Sequence, residues 1–276
     1  MIHFAKAESI GNDFVIVEAP AGSSADFGEL SLALCDRRFG VGSDGLLVLA
    51  RGTVDRFAMR MFNPDGTEDF CGNGLRCAAV FAAERGWVTS TFTIEHGGQS
   101  VACEIDGTSV TTMLAPASFE PARVPFEGAG EFVLGQIDVD DERLEATALT
   151  TGSTHLIVPD SLLPSHERFA RLSSKLEHHP MFPARTSVIW LREDGNDDLT
   201  IRIWERGVGE TMGCGTGSAA AAVSYARSQD RGGRFQVHNP GGTVLVALDH
   251  GWQGPIGVTG AARILFEGNV PQFELG

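Results

Sequence analysis

Lysine is almost missing from this 276-residue chain, which carries only Lys6 and Lys175. Enzymes that use pyridoxal phosphate hold it as a Schiff base on a lysine. Neither lysine sits beside a glycine-rich anion cradle, so no cofactor of that kind is expected. Basic charge is scarce in general: 36 acidic residues stand against 21 basic ones, a net charge of -15, with no cluster of Lys and Arg. Such a surface repels phosphate backbones and anionic bilayers, so neither nucleic acid nor membrane is an expected partner. No run of 18 apolar residues occurs, and the opening Met1-Ile2-His3-Phe4-Ala5-Lys6 has no basic segment leading into an apolar one. A cytoplasmic location is the default that follows. Cysteines are few and odd in number, five in all, which does not make a disulfide framework. Zinc sites need ligand pairs such as Cys-x-x-Cys or His-x-x-x-His; none is present, and no metal is expected. His178-His179 beside Pro180 reads as solvated.

What the chain does have is apolar content, 42% of residues, enough for one or two soluble globular domains with a real core. It also repeats itself at a nearly constant offset of about 142 residues. Gly11-Asn12-Asp13-Phe14-Val15-Ile16-Val17 is echoed by Gly152-Ser153-Thr154-His155-Leu156-Ile157-Val158, and Arg60-Met61-Phe62-Asn63 by Arg202-Ile203-Trp204-Glu205. Cys71-Gly72-Asn73-Gly74 returns as Cys214-Gly215-Thr216-Gly217. Phe92-Thr93-Ile94 with Gly97-Gly98 returns as Phe235-Gln236-Val237 with Pro240-Gly241-Gly242. Four blocks in one order at one offset indicate a tandem duplication.

Apolar alternation through Phe57-Met59-Met61 and Ile201-Ile203 marks strands. In each half, one clear helix follows the Cys-Gly-x-Gly element. The first runs from Leu75 to about Arg85, stopping at Gly86, and the second from about Ser218 to Arg227. Strands outnumber helices, so the expected class is α+β: two pseudo-symmetric halves, each a mixed sheet or barrel wrapped around a central helix. The halves are expected at 1–118 and 119–264, with 265–276 a tail that can return to the first half. The irregular, Pro-, Gly- and acid-rich stretch Ala115 to Asp141 would cross between them.

The duplication places Cys71 and Cys214 equivalently, each just before a helix. The first turn of a helix carries unpaired N–H groups and partial positive charge, which bind anions and favour a thiolate. If the halves face each other, two thiols and two anion cradles meet in one cleft. One thiolate can then take a proton from one face of a carbon while the other thiol delivers a proton to the opposite face, with N–H groups steadying the developing aci-carboxylate. That is racemisation or epimerisation. Cys35, Cys77 and Cys103 have no counterpart in the other half and read as packing residues.

Several longer motifs carry a family resemblance: Gly11-Asn12-Asp13-Phe14, Arg38-Phe39-Gly40-Val41-Gly42-Ser43-Asp44-Gly45, Met61-Phe62-Asn63-Pro64-Asp65-Gly66, Cys71-Gly72-Asn73-Gly74-Leu75-Arg76-Cys77, and Trp204-Glu205-Arg206-Gly207-Val208-Gly209-Glu210-Thr211 followed by Cys214-Gly215-Thr216-Gly217. End to end, the chain closely resembles the diaminopimelate epimerases. The resemblance implies cofactor-independent, two-cysteine epimerisation of LL- to meso-diaminopimelate in lysine and peptidoglycan synthesis, by a homodimer. Carried over by position, it makes Cys71 and Cys214 the acid/base thiols. The N–H groups around Gly72-Asn73 and Gly215-Thr216 would hold the reacting carboxylate. Glu205 would take the ammonium and help tune the thiols, as would His155. Arg206 would pair with the distal carboxylate, and Asn12 and Asn63 would be amide ligands to the substrate.

The chain departs from the family pattern in places. Gly152-Ser153-Thr154-His155 stands where Gly-Asn-Pro-His is usual, and Arg185-Thr186-Ser187 where Arg-Thr-Asn is usual. Ser153 and Ser187 thus replace two asparagines that recognise the far end of the substrate, and a serine offers one hydroxyl in place of an amide. Gly45 stands where some members carry glutamine. The alternative is a racemase of the same mechanism for histidine or another basic amino acid; a retained Arg206 argues instead for a distal carboxylate. A non-catalytic amino-acid-binding protein would not need both thiols.

Overall fold

The computed structural model describes residues 1–20, 22–195 and 197–271. The chain forms two compact units, one made of Met1–Met113 with the segment from Thr259 onward, the other of Leu114–Val258. Both boundaries fall a few residues before the expected 118 and 264. Of the expected tail 265–276, residues up to Val270 are a strand, and residues 272–276 lie outside the described residues.

In unit 1, β1 (Ile2–Ser9) and β2 (Asn12–Glu18) form a hairpin. Helix α1 (Phe27–Cys35) carries the chain to β3 (Gly45–Arg51), parallel to β2, and β4 (Arg56–Phe62) returns antiparallel. Helix α2 (Gly72–Glu84) then leads to β5 (Thr91–His96), parallel to β4, and β6 (Gln99–Asp106) and β7 (Ser109–Leu114) follow as a meander. Each parallel pair thus has its helical crossover, as parallel strands require. The free side of β1 is taken by the last strand, β17 (Arg263–Val270), from Ile2 opposite Val270 to Glu8 opposite Arg263.

Unit 2 runs through β8 (Gly135–Val139), β9 (Glu142–Thr150), β10 (Thr154–Pro159), α3 (His166–Glu177), β11 (Ser187–Gly195), β12 (Asp198–Glu205), β13 (Gly209–Thr211), α4 (Gly215–Ser228), β14 (Gly233–Asn239), β15 (Gly242–Leu248) and β16 (Ile256–Ala261), the last leading back to unit 1. The pairings β8–β9–β10–β11–β12–β14–β15 alternate in the same sense as β17–β1–β2–β3–β4–β5–β6. The duplication read from four sequence blocks therefore extends to strand pairing, and the α+β class with a central helix per half holds.

The central helices are buried nearly all round, α2 from Asn73 to Ala82 and α4 from Gly215 to Val223. α2 packs against β1 to β4, β6 and β17, and α4 against β9 to β12, β14 and β15. The alanine-rich faces suit this: small side chains let a helix lie close to several strands at once. Both helices begin three residues earlier than expected, because the Cys-Gly-x-Gly stretch is itself the first helical turn.

Each unit also holds a second helix where one was expected. α1 buries Phe27, Leu30, Ser31, Leu34 and Cys35, and α3 buries Phe169, Leu172, Ser173, Leu176 and Glu177, the i, i+3, i+4, i+7, i+8 stripe of an amphipathic helix. Their starts are capped by Asp26, which accepts from Glu29 N at 3.0 Å, and Ser165, which accepts from Arg168 N at 3.3 Å. These helices cover the outer face of the parallel strands. In unit 1, Phe14, Ile16, Leu47 and Leu49 face the α2 core while Val15, Val17, Leu46 and Val48 face α1, so both faces of β2 and β3 are apolar. The stretch Ala115 to Asp141, expected to be irregular, also contains β8. Among the described residues no helix is long and apolar enough to cross a membrane.

Candidate functional site

The half-site of unit 1 is built at the start of α2. Cys71 is the N-cap, with φ -136° and ψ 110°, and its Sγ accepts the Gly74 N–H at 3.3 Å. A Cβ on Gly74 would come within 2.9 Å of Leu47 Cδ2 and 3.4 Å of Cys71 Cβ. That glycine lets the first turn lie down on β3 beside its own cap. The Cys71 N–H donates to His96 Nε2 at 3.1 Å, and His96 Nδ1 lies 3.1 Å from Met59 O. These contacts assign the proton to Nδ1, and burial pushes the His96 pKa down, so the ring stays neutral.

Asn12, Asn63 and Asn73, expected to meet the substrate, are already ordered by the protein. Asn73 is buried and donates to Asn12 Oδ1 at 3.2 Å, while Asn12 donates to Asp44 Oδ2 at 2.7 Å. Asn73 Oδ1 accepts from the fully buried Arg76, whose Nε donates to Ser9 Oγ at 2.9 Å. Asn63 sits in the turn after β4, where Ser31 of α1 donates to its carbonyl at 2.8 Å. Beside Asn12 lies an ionic group that sequence reasoning missed: Asp13 takes Lys6 and Arg37, and Arg37 also reaches Asp44 at 2.7 Å. Burial alone would raise the Asp13 carboxyl, but hydrogen bonds from Arg37 and Lys6 hold it down at about 2.

The half-site of unit 2 repeats this plan with different side chains. Cys214 caps α4 with φ -140° and ψ 118°, its Sγ accepting from Gly217 N at 3.4 Å. A Cβ on Gly217 would meet Ile189 Cδ1 at 3.0 Å, the counterpart of the Leu47 contact. The Cys214 N–H donates at 3.4 Å to Asn239 Oδ1, so Asn239 does for Cys214 what His96 does for Cys71. Both residues lie two positions after the repeated triplets Phe92-Thr93-Ile94 and Phe235-Gln236-Val237; carrying the alignment two residues further would have found them.

Thr216 Oγ1 lies 3.3 Å from Cys214 Sγ and 3.1 Å from Ser153 Oγ, and Ser153 Oγ lies 3.0 Å from His155 Nε2. His155 is buried, and its Nδ1 has no hydrogen-bond partner among the described residues. Burial, with the charge of Arg206 adding to it, pushes this imidazole down to about 3, so it is neutral at physiological pH. Glu205 ends β12 and accepts from Thr211 Oγ1 at 2.6 Å. Arg206 follows in the turn to β13. Its N–H donates to Ser187 Oγ at 3.1 Å and its guanidinium to Ala184 O at 3.3 Å, and it forms no ion pair among the described residues. Its charge is therefore uncommitted to any carboxylate among the described residues. The hydroxyls of Ser153 and Ser187, expected to face the far end of a substrate, are both bonded inside unit 2.

A further residue missed in the sequence is Glu177, the last residue of α3. Its buried carboxylate accepts from Gly207 N at 2.8 Å, Trp204 Nε1 at 2.8 Å and Arg185 at 3.1 Å, and so fixes the turn that carries Glu205 and Arg206. The remaining cysteines are buried as expected: burial raises Cys35 and Cys77, and pushes Cys103 up to about 12. No group of three or more His, Cys, Asp or Glu among the described residues could hold a metal ion.

A thiol that caps a helix is placed to exist as thiolate, since its sulfur accepts a backbone N–H in a field of partial positive charge. The same first turn can hold a carboxylate. Each unit thus presents one thiol at the start of its central helix. The sequence model of one family, Diaminopimelate epimerase, matches residues 4–120 and again 147–264. A diaminopimelate epimerase of Desulforudis audaxviator is 36% identical over 97% of this chain and 98% of its own, and one of Moorella thermoacetica is 34% identical over 98% and 99%. Among solved structures, a probable proline racemase from Agrobacterium radiobacter K84 overlays with a TM-score of 0.72 at 16% identity, covering 98% of this chain and 93% of that one. A predicted epimerase from Pseudomonas aeruginosa overlays with a TM-score of 0.70 at 17% identity, covering 99% and 100%.

Proposed function

The chain belongs to the diaminopimelate epimerase family, and on that premise we infer that it epimerises LL-2,6-diaminopimelate to meso-diaminopimelate using Cys71 and Cys214 as paired acid/base groups. It is an isomerase of the racemase and epimerase class, placed in lysine and peptidoglycan synthesis. The observation that carries the two-thiol reading is the matched pair of caps: each sulfur accepts the N–H three residues on, at 3.3 and 3.4 Å, at the start of equivalent buried helices.

In this reading one thiolate removes the Cα proton and the other thiol returns a proton to the opposite face. The route requires both sulfurs to reach one carbon. N–H groups of Gly72-Asn73 and Gly215-Thr216 take the carboxylate and the charge that develops on it, at no reorganisation cost during the reaction. Glu205 takes the ammonium, and Arg206, which pairs with no carboxylate among the described residues, takes the distal carboxylate as a bidentate donor. No cofactor is needed, because the electrons from the broken C–H bond settle on the substrate's own carboxylate. We place the enzyme in the cytoplasm as a homodimer, a state that sedimentation velocity measures directly. A racemase of histidine or another basic amino acid is not favoured, because the relatives matched over nearly their full length are diaminopimelate epimerases.

The test is hydrogen–deuterium exchange at Cα in D2O with LL- and meso-diaminopimelate beside lysine, histidine, ornithine and glutamate. Exchange confined to diaminopimelate is expected. Cys71→Ser and Cys214→Ser should each lower turnover at least about 100-fold with an unchanged circular dichroism spectrum; full activity in either variant would overturn the two-thiol route.

A further inference from the structure

Ser153 stands where the family pattern has an asparagine, yet its hydroxyl is spent inside unit 2, between His155 Nε2 at 3.0 Å and Thr216 Oγ1 at 3.1 Å. Thr216 Oγ1 is in turn 3.3 Å from Cys214 Sγ. Three consecutive contacts join a fully buried imidazole to the thiol at the start of α4. We propose that Ser153 and Thr216 are positioning residues that relay hydrogen-bond donation from His155 to the Cys214 sulfur and so favour its thiolate, a role that rests on Cys214 being an acid/base thiol.

The direction of the relay follows from counting hydrogens. A hydroxyl has one to give. His155 Nδ1 is buried with no acceptor beside it among the described residues, and a buried N–H without an acceptor is rarer and costlier than an unmet lone pair. The proton of the neutral ring is therefore assigned to Nε2. His155 then donates to Ser153, Ser153 to Thr216, and Thr216 to sulfur. Every hydroxyl hydrogen in this chain of contacts points toward Cys214. No proton passes along the chain, because charging His155 is opposed by its burial and by Arg206. The relay acts by making the thiolate a better-satisfied acceptor than the thiol.

This differs from the direct tuning of the thiol by His155 that the resemblance implies. It makes Ser153 a part of the thiol's surroundings and not a shortened arm toward the far end of the substrate. In unit 1 Asn73 holds the place of Thr216 and bonds Asn12 and Arg76. Among the other ionisable groups on or beside the elements packed against α4, Glu205 ends β12 next to Arg206, His238 pairs with Asp198, and Glu193 accepts from Tyr225 of α4 itself. The variants below leave all of them in place.

The test is alkylation of Cys214 by iodoacetamide across pH, read by peptide mass mapping, with Cys71 in the same sample as reference. Ser153→Ala and Thr216→Val should each slow Cys214 alkylation about three- to tenfold below its midpoint and move that midpoint to higher pH, with Cys71 unchanged. Thr216→Ser, which keeps the hydroxyl, should retain the original profile. An unchanged Cys214 profile in both cutting variants overturns the relay, as does an equal shift at Cys71 or a Thr216→Ser profile like that of Thr216→Val. The epimerase reading fails separately, through absent Cα exchange in the unaltered protein.

Discussion

At the residue scale, a histidine held neutral makes the fold sensitive to acid. His155 titrates near 6.5 in an open chain and at about 3 in the folded protein. Between those values the unfolded chain binds the proton and the folded one does not. Its contribution is therefore complete above pH 6.5 and is lost as pH falls toward 3, approaching about 1.4 kcal/mol per pH unit. His96 is displaced in the same direction and adds to the slope. Asp13 acts lower: its stabilisation is present above its ordinary value of 3.8 and disappears as pH falls through about 2. Urea midpoints measured from pH 7 to 4 should fall steadily, and His155→Gln should flatten that decline even if it starts lower. Equal slopes would mean that His155 becomes charged in the folded protein. The thiols at 71 and 214 were legible because the motif and the repeat named them twice. The engagement of Ser153 was not, since one of its partners, Thr216, lies on another element 63 positions away.

Among the elements, the crossover helices do more than cover sheets. α1 holds the turn after β4 through Ser31, and α3 holds the equivalent turn after β12 through Glu177. Each outer helix thus fixes the loop on which a proposed substrate ligand sits, Asn63 in one unit and Glu205 with Arg206 in the other. Glu177→Ala removes the acceptor from Gly207 N–H, Trp204 and Arg185 together. It should raise KM for diaminopimelate about tenfold or more by loosening Arg206, with a smaller fall in kcat, and Glu177→Gln should recover part of the loss. A fall in kcat at unchanged KM would show that the turn does not depend on this carboxylate. The outer helices were readable in principle, from the stripes Phe27-Leu30-Leu34 and Phe169-Leu172-Leu176 and the caps Asp26 and Ser165. The central helices, buried on all sides, leave no such stripe and are marked by Cys-Gly-x-Gly alone.

Across the whole molecule, the duplication was the most legible feature, since every repeated block proved to mark the same element in both units. The boundaries were less so. What decides them is which strand pairs with β1, a long-range choice with no local signature. The answer, β17, makes unit 1 discontinuous, Met1–Met113 joined by the segment from Thr259 onward. A chain stopped after Ala262 lacks that strand and leaves one edge of β1 bare. Limited proteolysis of that truncated chain should digest unit 1 while sparing unit 2; protection of both would mean that β17 is dispensable. The same arrangement sets an order of events on the ribosome. Residues 114–258 can complete their own sheet while β1, made first, still waits for a partner that has not been translated. The half that is synthesised first is the half that is finished last, and until then a nascent chain carries an open strand edge.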